Sequence, residues 1–278
     1  MEYVKVIEKA LKEARKAIIP LFGREEASKF LEYGEHGDPT YAIDRTAEDA
    51  IVRVIRDTFP KAYFVTEEAG MLGDEMSEIT VLIDPIDGST NATHGIPMFS
   101  SAIALAVGQY FEDIVASGVI NLVHGDLFLC GNKGPVLMNG KQVKLSQNQD
   151  LESAYICMNS NVHSGEWLWK TGLQNLLSKI RYPRSLGSAA LETAYVSDGR
   201  VDAYLDPKGT LRSFDCIPSI HMILKAGGFV ELLNTKFENF NLRKKHRLGV
   251  VASGNIGLGE KILSILKEDI PYNEFPRS

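Results

Sequence analysis

The sequence predicts a layered fold of helices and sheets, of the α+β or α/β class, on three observations. The first part of the chain has helical periodicity, the middle part reads as consecutive strands, and the last part alternates strands with helices. Elements that follow one another in such groups pack as layers, because each sheet or helix buries one apolar face against a neighbour. With 278 residues, 44% of them hydrophobic, the chain can form one large domain or two modest ones.

Two amphipathic helices are predicted in the first part. In the first helix, apolar residues recur at steps of three and four, namely Val4, Ile7, Leu11, Ala14 and Ile18. The segment from Tyr33 to Tyr41 is polar and contains two glycines and a proline, which favours a mobile loop. Asp44 is then expected to cap the second helix.

The remaining elements follow from apolar runs and turn residues. Strands are predicted at 62–66, 79–84, 98–107, 114–123, 126–130, 135–138, 153–158, 201–205, 228–233 and 248–253. Helices are predicted at 164–178, 187–198, 215–226 and 257–267. Asn139 and Gly140 favour a hairpin turn. Polarity rises near 140–150, so we divide the chain into parts 1–145 and 146–278 of one compact unit.

Composition and charge exclude several classes of protein. The net charge is −6, so the chain has no basic footprint for nucleic acid. Apolar and charged residues alternate at the N-terminus, which excludes a signal peptide or a membrane span there. Cys130, Cys157 and Cys216 form no CxxC pattern and are expected to be buried thiols. These features predict a cytoplasmic protein that binds neither nucleic acid nor membrane.

The segment 81–91, VLIDPIDGSTN, is the most informative in the chain. An apolar run ends at Asp84, Pro85 forces that residue into an extended conformation, and Asp87 follows three residues on. Gly88 and Ser89 then have the composition of a helix start. Carboxylates at a strand end, opposite a helix N-terminus, can bring hard cations and a phosphate together. The segment therefore suggests metal-dependent phosphoryl chemistry.

Other acidic residues stand where predicted elements begin or end. Glu67 and Glu68 follow the strand 62–66, and Asp215 precedes the helix that runs to Ala226, with Pro218 in its first turn. Taken alone, Asp44 and Asp215 read as helix N-caps and the glutamate pair as a solvated loop. Their occurrence together with the 84–89 motif is what favours a functional site.

The chain resembles the inositol monophosphatase family, within the superfamily of Mg²⁺-dependent, lithium-sensitive phosphatases that includes fructose-1,6-bisphosphatase. The signature D-P-[IL]-D-G-[ST]-x-N of the family matches residues 84–91, and its upstream glutamate pair matches Glu67 and Glu68. A second family signature is met loosely from Phe214 and Asp215 to Gly228. The resemblance implies a layered α-β-α-β-α sandwich that is active as a homodimer or homotetramer.

The resemblance also implies a site with two to three Mg²⁺ ions. The metal ligands would be Glu67, Asp84, the Ile86 carbonyl, Asp87 and Asp215. The phosphate would rest on the N–H groups of Gly88 and Ser89, and a metal-activated water would be the nucleophile. Ser89, which stands where the family commonly has Thr, would orient this water together with Asp44, and Glu67 would assist as a base.

Two further segments correspond to substrate contacts in the family. Gly187, Ser188 and Ala189 match a stretch that contacts the sugar or inositol ring, although such a helix start can also be simple packing. Lys208 and Arg212 lie where animal members carry an acidic residue for ring hydroxyls. Basic residues there could bind a second phosphate, or could belong to a solvated loop.

These residues predict a Mg²⁺-dependent phosphomonoesterase for inositol 1-phosphate, fructose 1,6-bisphosphate or both. One alternative in the same superfamily is a 3′(2′),5′-bisphosphate nucleotidase or an NADP phosphatase, which would need an apolar or aromatic slot for a base. An alternative of another class is a catalytically silent regulatory or scaffold protein. The presence of Glu67, Asp84, Asp87 and Asp215 speaks against that alternative.

Overall fold

The computed structural model describes residues 2–34, 39–160 and 172–267. Its helices, numbered in chain order, are α1 Glu2–Ile18, α2 Ala42–Thr58, α3 Ser89–Thr93, α4 Leu173–Lys179, α5 Ala189–Ser197, α6 Ser213–Ala226 and α7 Ile256–Lys267. Its strands are β1 Phe30–Tyr33, β2 Pro39–Tyr41, β3 Tyr63–Thr66, β4 Met71–Leu72, β5 Ile79–Asp87, β6 Ser100–Val107, β7 Ile114–Asn121, β8 Leu127–Gly131, β9 Leu137–Met138, β10 Lys141–Gln142, β11 Tyr155–Met158, β12 Tyr182–Arg184, β13 Ala203–Arg212, β14 Phe229–Leu232 and β15 Arg247–Ser253.

These elements form five layers in the order α-β-α-β-α. An eight-stranded sheet, with strand order β10-β9-β8-β7-β6-β5-β3-β4, carries α1 and α2 on its outer face. A five-stranded sheet, with order β12-β11-β13-β15-β14, carries α4 and α7 on its outer face. Helices α5 and α6 lie between the two sheets. The layered fold predicted from the sequence is confirmed.

The first helical layer is held by an apolar stripe. Ile7, Leu11 and Ile18 of α1 are fully buried against the large sheet, together with Ile51 and Ile55 of α2. This is the stripe that the steps of three and four predicted, and α1 ends at Ile18 as expected. Each such side chain contributes about 1.5–3 kcal/mol when it leaves water.

The middle layer joins the two parts of the chain in one core. Leu191 of α5 and Ile220 of α6 are fully buried in the same apolar cluster as Leu82 of the large sheet and Val250 of the small sheet. Asp215 of α6 and the 84–91 motif at the end of β5 therefore belong to elements that pack against each other. The boundary near residue 145 stays a prediction.

Several element boundaries differ from the sequence-based expectation. The segment expected as a loop from Tyr33 to Tyr41 contributes to an antiparallel pair, β1 with β2. Strand β13 continues to Arg212 instead of ending at residue 205, because a bulge between Asp206 and Leu211 lets it continue pairing with β15. The short strands β4 and β12 were not predicted. Most of the helix expected at 164–178 lies outside the described residues.

Helices α2 and α6 both begin earlier than their acidic residues suggested. Asp44 is the third residue of α2 and accepts the Tyr41 N–H at 2.7 Å, and Asp215 is the third residue of α6 and accepts the Arg212 N–H at 2.8 Å. Neither residue is an N-cap; each reaches back to the N-cap backbone from the third position. Pro218 consequently lies in the second turn of α6 rather than the first.

The three cysteine thiols of the described chain behave as expected. Cys130, Cys157 and Cys216 are buried, and none of the three forms a disulfide. No helix among the described residues is long and apolar enough to cross a membrane.

Candidate active site

A bulge in β5 brings the two carboxylates of the motif to the same face. Side chains alternate along a strand, so residues 84 and 87 would point to opposite faces of a regular strand. The pairing of β5 with β6 shifts between Asp84 and Asp87, where Ser101 faces the extra residue and donates its hydroxyl to the Pro85 carbonyl at 2.5 Å. Contrary to the prediction, the strand does not end at Asp84. The inserted residue restores the alternation and aims both carboxylates between the sheets.

Gly88 makes the turn from this strand into the one-turn helix α3. Its φ of 91° lies in the left-handed region, and a Cβ at this position would come 2.8 Å from the Gly187 carbonyl oxygen. Only glycine fits this close approach without strain. Asn91 fastens the same turn, because its amide donates to the carbonyls of Met98 and Leu186 at 2.6 and 2.7 Å. The motif is thereby fixed to the segment that precedes α5.

These residues open onto a polar cavity of about 660 Å³ between the two sheets. The residues of the predicted site that line the cavity are Glu67, Asp84, Ile86, Asp87, Gly88, Ser89, Gly187, Arg212 and Asp215. From residues that the sequence did not single out for the site, it is lined by Tyr41, Thr90, Asn159, Gly209, Thr210, Leu211 and Arg247. The lining also includes Glu68. Chain segments far apart in sequence therefore meet at one cavity.

Asp84 is the least satisfied of the buried carboxylates. It is 1% exposed, and neither of its oxygens has a hydrogen-bond partner among the described residues. Burial raises its pKa well above the usual value, and the nearby charges of Glu67, Asp87 and Asp215 raise it further. A buried carboxylate without donors is costly unless a cation or a proton compensates it.

Asp87 is held by the start of α5. The Ser188 hydroxyl donates to Asp87 Oδ2 at 2.5 Å, and the N–H groups of Ala189 and Ala190 donate at 3.1 and 2.8 Å. Burial nevertheless raises the pKa of Asp87 to about 7. Three residues of this segment were expected to contact substrate. Gly187 lines the cavity, and Ser188 is fully buried. Ser188 and Ala189 donate hydrogen bonds to the Asp87 carboxylate.

Arg212 is the cation that meets these carboxylates. Its guanidinium forms ion pairs with Glu67 and, from Nε at 3.3 Å, with Asp215 Oδ1. Burial raises the pKa of Glu67 to about 8 in spite of this arginine. Within the described residues, no three acidic, histidine or cysteine side chains already stand at metal-binding spacing. The unpartnered Asp84 and the all-oxygen donor set still fit a hard cation such as Mg²⁺.

Asp44 and Lys208 lie away from the lining of the cavity. Asp44 is buried behind Tyr41, its Oδ1 has no hydrogen-bond partner among the described residues, and burial raises its pKa to about 7. Lys208 is 8% exposed, its N–H donates to Asp206 at 2.8 Å, and it is not among the described lining residues. The neighbouring Gly209 and Thr210 line the cavity instead, and a contact of Lys208 with substrate stays a prediction.

Several residues of the site were not predicted from the sequence. Arg247 and Asn159 line the cavity from two different strands or their ends, and nothing near them in sequence marks them. Glu192 is 2% exposed and accepts a hydrogen bond from the Leu186 N–H, which fixes the start of the 186–190 segment. A buried glutamate in a predicted apolar helix could have been noticed, since such residues are uncommon without a partner.

A layered sandwich that directs buried carboxylates into a polar cavity is the arrangement expected of a hydrolase that acts on phosphate esters. The model of the inositol monophosphatase family matches residues 2–270. The chain belongs to this family. The family and the class of phosphoric monoester hydrolase predicted from the sequence are thus confirmed.

Individual relatives match more than nine tenths of this chain. A fructose-1,6-bisphosphatase/inositol-1-monophosphatase of Methanothermobacter thermautotrophicus is 32% identical, with 92% of this chain and 93% of that protein covered. A bifunctional NADP phosphatase/NAD kinase of Methanocaldococcus jannaschii is 29% identical, with 95% of this chain but 50% of that protein covered. The crystal structure of the extragenic suppressor protein suhB from Bartonella henselae has a TM-score of 0.85 at 27% identity and covers 97% of this chain and 100% of that one.

Proposed function

We propose that this protein hydrolyses small cyclic polyol and sugar phosphates, inositol 1-phosphate and fructose 1,6-bisphosphate, with Mg²⁺ as cofactor. The observation that carries the proposal is Asp84, whose two oxygens face a polar cavity without any hydrogen-bond donor among the described residues. A relative of nearly the same length bears both activities in its name.

The ligands proposed for two to three Mg²⁺ ions are Glu67, Asp84, the Ile86 carbonyl, Asp87 and Asp215. All of them line the cavity, and all offer the oxygen atoms that Mg²⁺ prefers. When bound, Mg²⁺ would supply positive charge that stabilises the attacking and departing oxygens of an in-line displacement. Arg212 would then leave Glu67 and Asp215 to the metal and turn toward anionic substrate.

The remaining residues would position substrate and water. The N–H groups of Gly88 and Ser89, at the start of α3, are proposed to receive the phosphate oxygens. The Ser89 hydroxyl is proposed to orient the attacking water. Asp44 Oδ1, which has no hydrogen-bond partner among the described residues, is proposed to accept the proton of the Ser89 hydroxyl. Glu67 is proposed to take up the proton of that water.

The cavity favours a polyol over a nucleotide. Asn159, Thr210 and Arg247 supply hydrogen-bonding groups to the lining, and Tyr41 is the single aromatic residue among the described residues of the lining. A base-binding slot would call for more apolar surface. The resemblance to an NADP phosphatase makes that substrate the alternative to test.

The test is phosphate release by metal-stripped protein after Mg²⁺ is restored, with the two substrates compared side by side. Turnover of both confirms the dual activity, and turnover of inositol 1-phosphate alone restricts it. Turnover of NADP or of a 3′,5′-bisphosphate nucleotide alone would replace the proposed substrates. Absence of turnover on all of them, with Mg²⁺ still bound, would favour a silent scaffold.

Three further properties belong to the proposal. We expect Li⁺ to inhibit at a Mg²⁺ position, a homodimer or homotetramer in solution, and a location in the cytoplasm. The three buried thiols support a reducing compartment. Inhibition by LiCl, light scattering and cell fractionation test these expectations one by one.

A further inference from the structure

A second cavity, of about 320 Å³, lies beside the catalytic one and is lined mainly by basic residues. Its basic residues are Arg212, Lys244, Lys245, His246 and Arg247. Its other lining residues are Val65, Gly70, Met71, Ser213 and Phe214, so no carboxylate is among the described residues that form it. In a chain with a net charge of −6, such a concentration of positive charge in a concave place is unusual.

The turn that carries the lysines is firmly fixed. Asn241 accepts the Arg243 N–H on its side chain at 2.8 Å and the Lys244 N–H on its carbonyl at 3.2 Å. The His246 ring donates from Nε2 to the same carbonyl at 2.8 Å and stacks on Phe240. These contacts close the chain around Asn241, as in an Asx-turn.

Arg243 ties this turn to the large sheet. Its guanidinium donates to Thr80 Oγ1 at 2.9 Å and to the carbonyls of Glu75 and Ser77 at 2.7 and 2.5 Å. It also lies over the Tyr63 ring, 4.6 Å from the ring centre. The neighbouring Lys244 and Lys245 therefore project from a backbone that is anchored on both sides. Ordinary surface lysines lack such a support, and a preorganised backbone lowers the entropic cost of binding an anion.

The basic cavity shares a wall with the catalytic cavity. Arg212 and Arg247 line both of them. Arg247 donates from Nη1 to the Thr210 carbonyl at 3.0 Å, which holds its guanidinium at the common rim. A doubly charged phosphate in the second cavity could therefore meet the two lysines together with Arg247, while Arg212 stays paired with Glu67 and Asp215.

We propose that this cavity is a second phosphate-binding site, distinct from the position where a phosphate ester is hydrolysed. The ligand is a phosphate group, either the distal phosphate of a bisphosphate substrate or a separate phosphate ion. Binding of the distal phosphate of a substrate rests on the proposed function, whereas the existence of the binding site does not.

The first experiment measures binding of inorganic phosphate by ³¹P NMR titration of the whole protein in chelator. Without metal, the acidic catalytic cavity repels phosphate. The double variant Lys244→Gln/Lys245→Gln should weaken binding about tenfold or more. The control Lys9→Gln/Lys12→Gln removes the same charge from the exposed face of α1 and should bind like the wild type. Equal binding by both double variants, or no binding at millimolar phosphate, would overturn the proposal.

The second experiment separates the two sources by kinetics. If the distal phosphate of the substrate binds here, the lysine variant raises KM for fructose 1,6-bisphosphate several-fold and leaves KM for inositol 1-phosphate unchanged. If a separate phosphate ion binds here, both KM values stay unchanged while the NMR titration still shows the loss. Absence of turnover in the wild type would refute the proposed function and leave the binding result standing.

Discussion

Two strands of the molecule contain the same dipeptide, Asp-Pro, followed by a bulge, yet the carboxylates of the two aspartates differ in their hydrogen bonding. Asp84 in β5 and Asp206 in β13 are both fully or almost fully buried. Asp206 accepts the Lys208 N–H at 2.8 Å, the Asn159 amide at 3.1 Å and the Thr210 hydroxyl at 2.9 Å. Asp84 accepts nothing from the described residues. We therefore propose that burial without donors, rather than burial alone, marks a functional carboxylate in this molecule.

The largest effect is expected for Asp84→Asn. Loss of this ligand should lower kcat by on the order of 1,000-fold, because several kcal/mol of charge stabilisation disappear. In chelator at pH 8, the same variant should unfold at a higher temperature than the wild type, because an amide costs less to bury than an unpaired carboxylate. Phosphate-release assays and thermal unfolding followed by circular dichroism measure the two effects. Near-normal turnover would refute the role of Asp84.

The matched change Asp206→Asn should have the opposite pattern. The amide of the introduced Asn would place its own N–H donor against one of the groups that now donate to Asp206, which costs about 1–3 kcal/mol of unfolding free energy. Turnover should stay within about threefold, since Asp206 is not among the described lining residues of the cavity. Urea unfolding measures the stability. If Asp206→Asn lost activity as Asp84→Asn does, the distinction between the two strands would fail.

A pH dependence of stability sharpens the comparison further. In the metal-free protein, burial raises the pKa values of Asp87 and Asp44 to about 7 and of Glu67 to about 8. The folded state then holds these protons more tightly than the unfolded state. The three carboxyl groups therefore make their full contribution to the free energy of unfolding below about pH 4, and this contribution is lost as pH rises to about 8. Each such group contributes a slope of up to about 1.4 kcal/mol per pH unit.

The measurement is urea unfolding in chelator at a series of pH values. The wild type should lose stability from about pH 4 to pH 8, and Asp84→Asn should lose less, because it lacks one of the groups with a raised pKa. A stability that rises across this range would contradict the electrostatics of the site.

The smallest effect is expected for Lys208→Ala. Lys208 stands close to Asp206 in β13 but is not among the described residues that line either the catalytic or the basic cavity. KM for fructose 1,6-bisphosphate and for inositol 1-phosphate should change by less than about twofold, or about 0.4 kcal/mol. A tenfold rise in KM for the bisphosphate would return Lys208 to the substrate site.

The sequence predicted what depends on neighbours in the chain. The apolar stripe of α1, the 84–91 motif and the glutamate pair after β3 are local patterns, and the structure places them as the layered fold requires. Boundaries failed where a bulge extended a strand past a proline, as at Pro85, because bulges depend on pairing with another strand. The difference between Asp84 and Asp206 was also hidden, since the donors Asn159 and Thr210 come from tertiary packing.

The same limit applies to the basic residues around the site. The ion pair between Arg212 and Glu67 joins residues that are far apart in sequence, and no motif marked the turn from Lys244 to Arg247 as part of a site. Lys208 was favoured for the site because of its place in the sequence. The bulge in β13 removes it from the lining and leaves Gly209 and Thr210 there.

The most direct measurement is calorimetric titration of the metal-stripped protein with Mg²⁺, carried out in parallel for the wild type, Asp84→Asn and Asp206→Asn. If the unpartnered carboxylate in β5 is a cation site, the wild type and Asp206→Asn bind Mg²⁺ and Asp84→Asn loses most of that binding. Equal binding by all three proteins, or no binding by the wild type, would contradict this account.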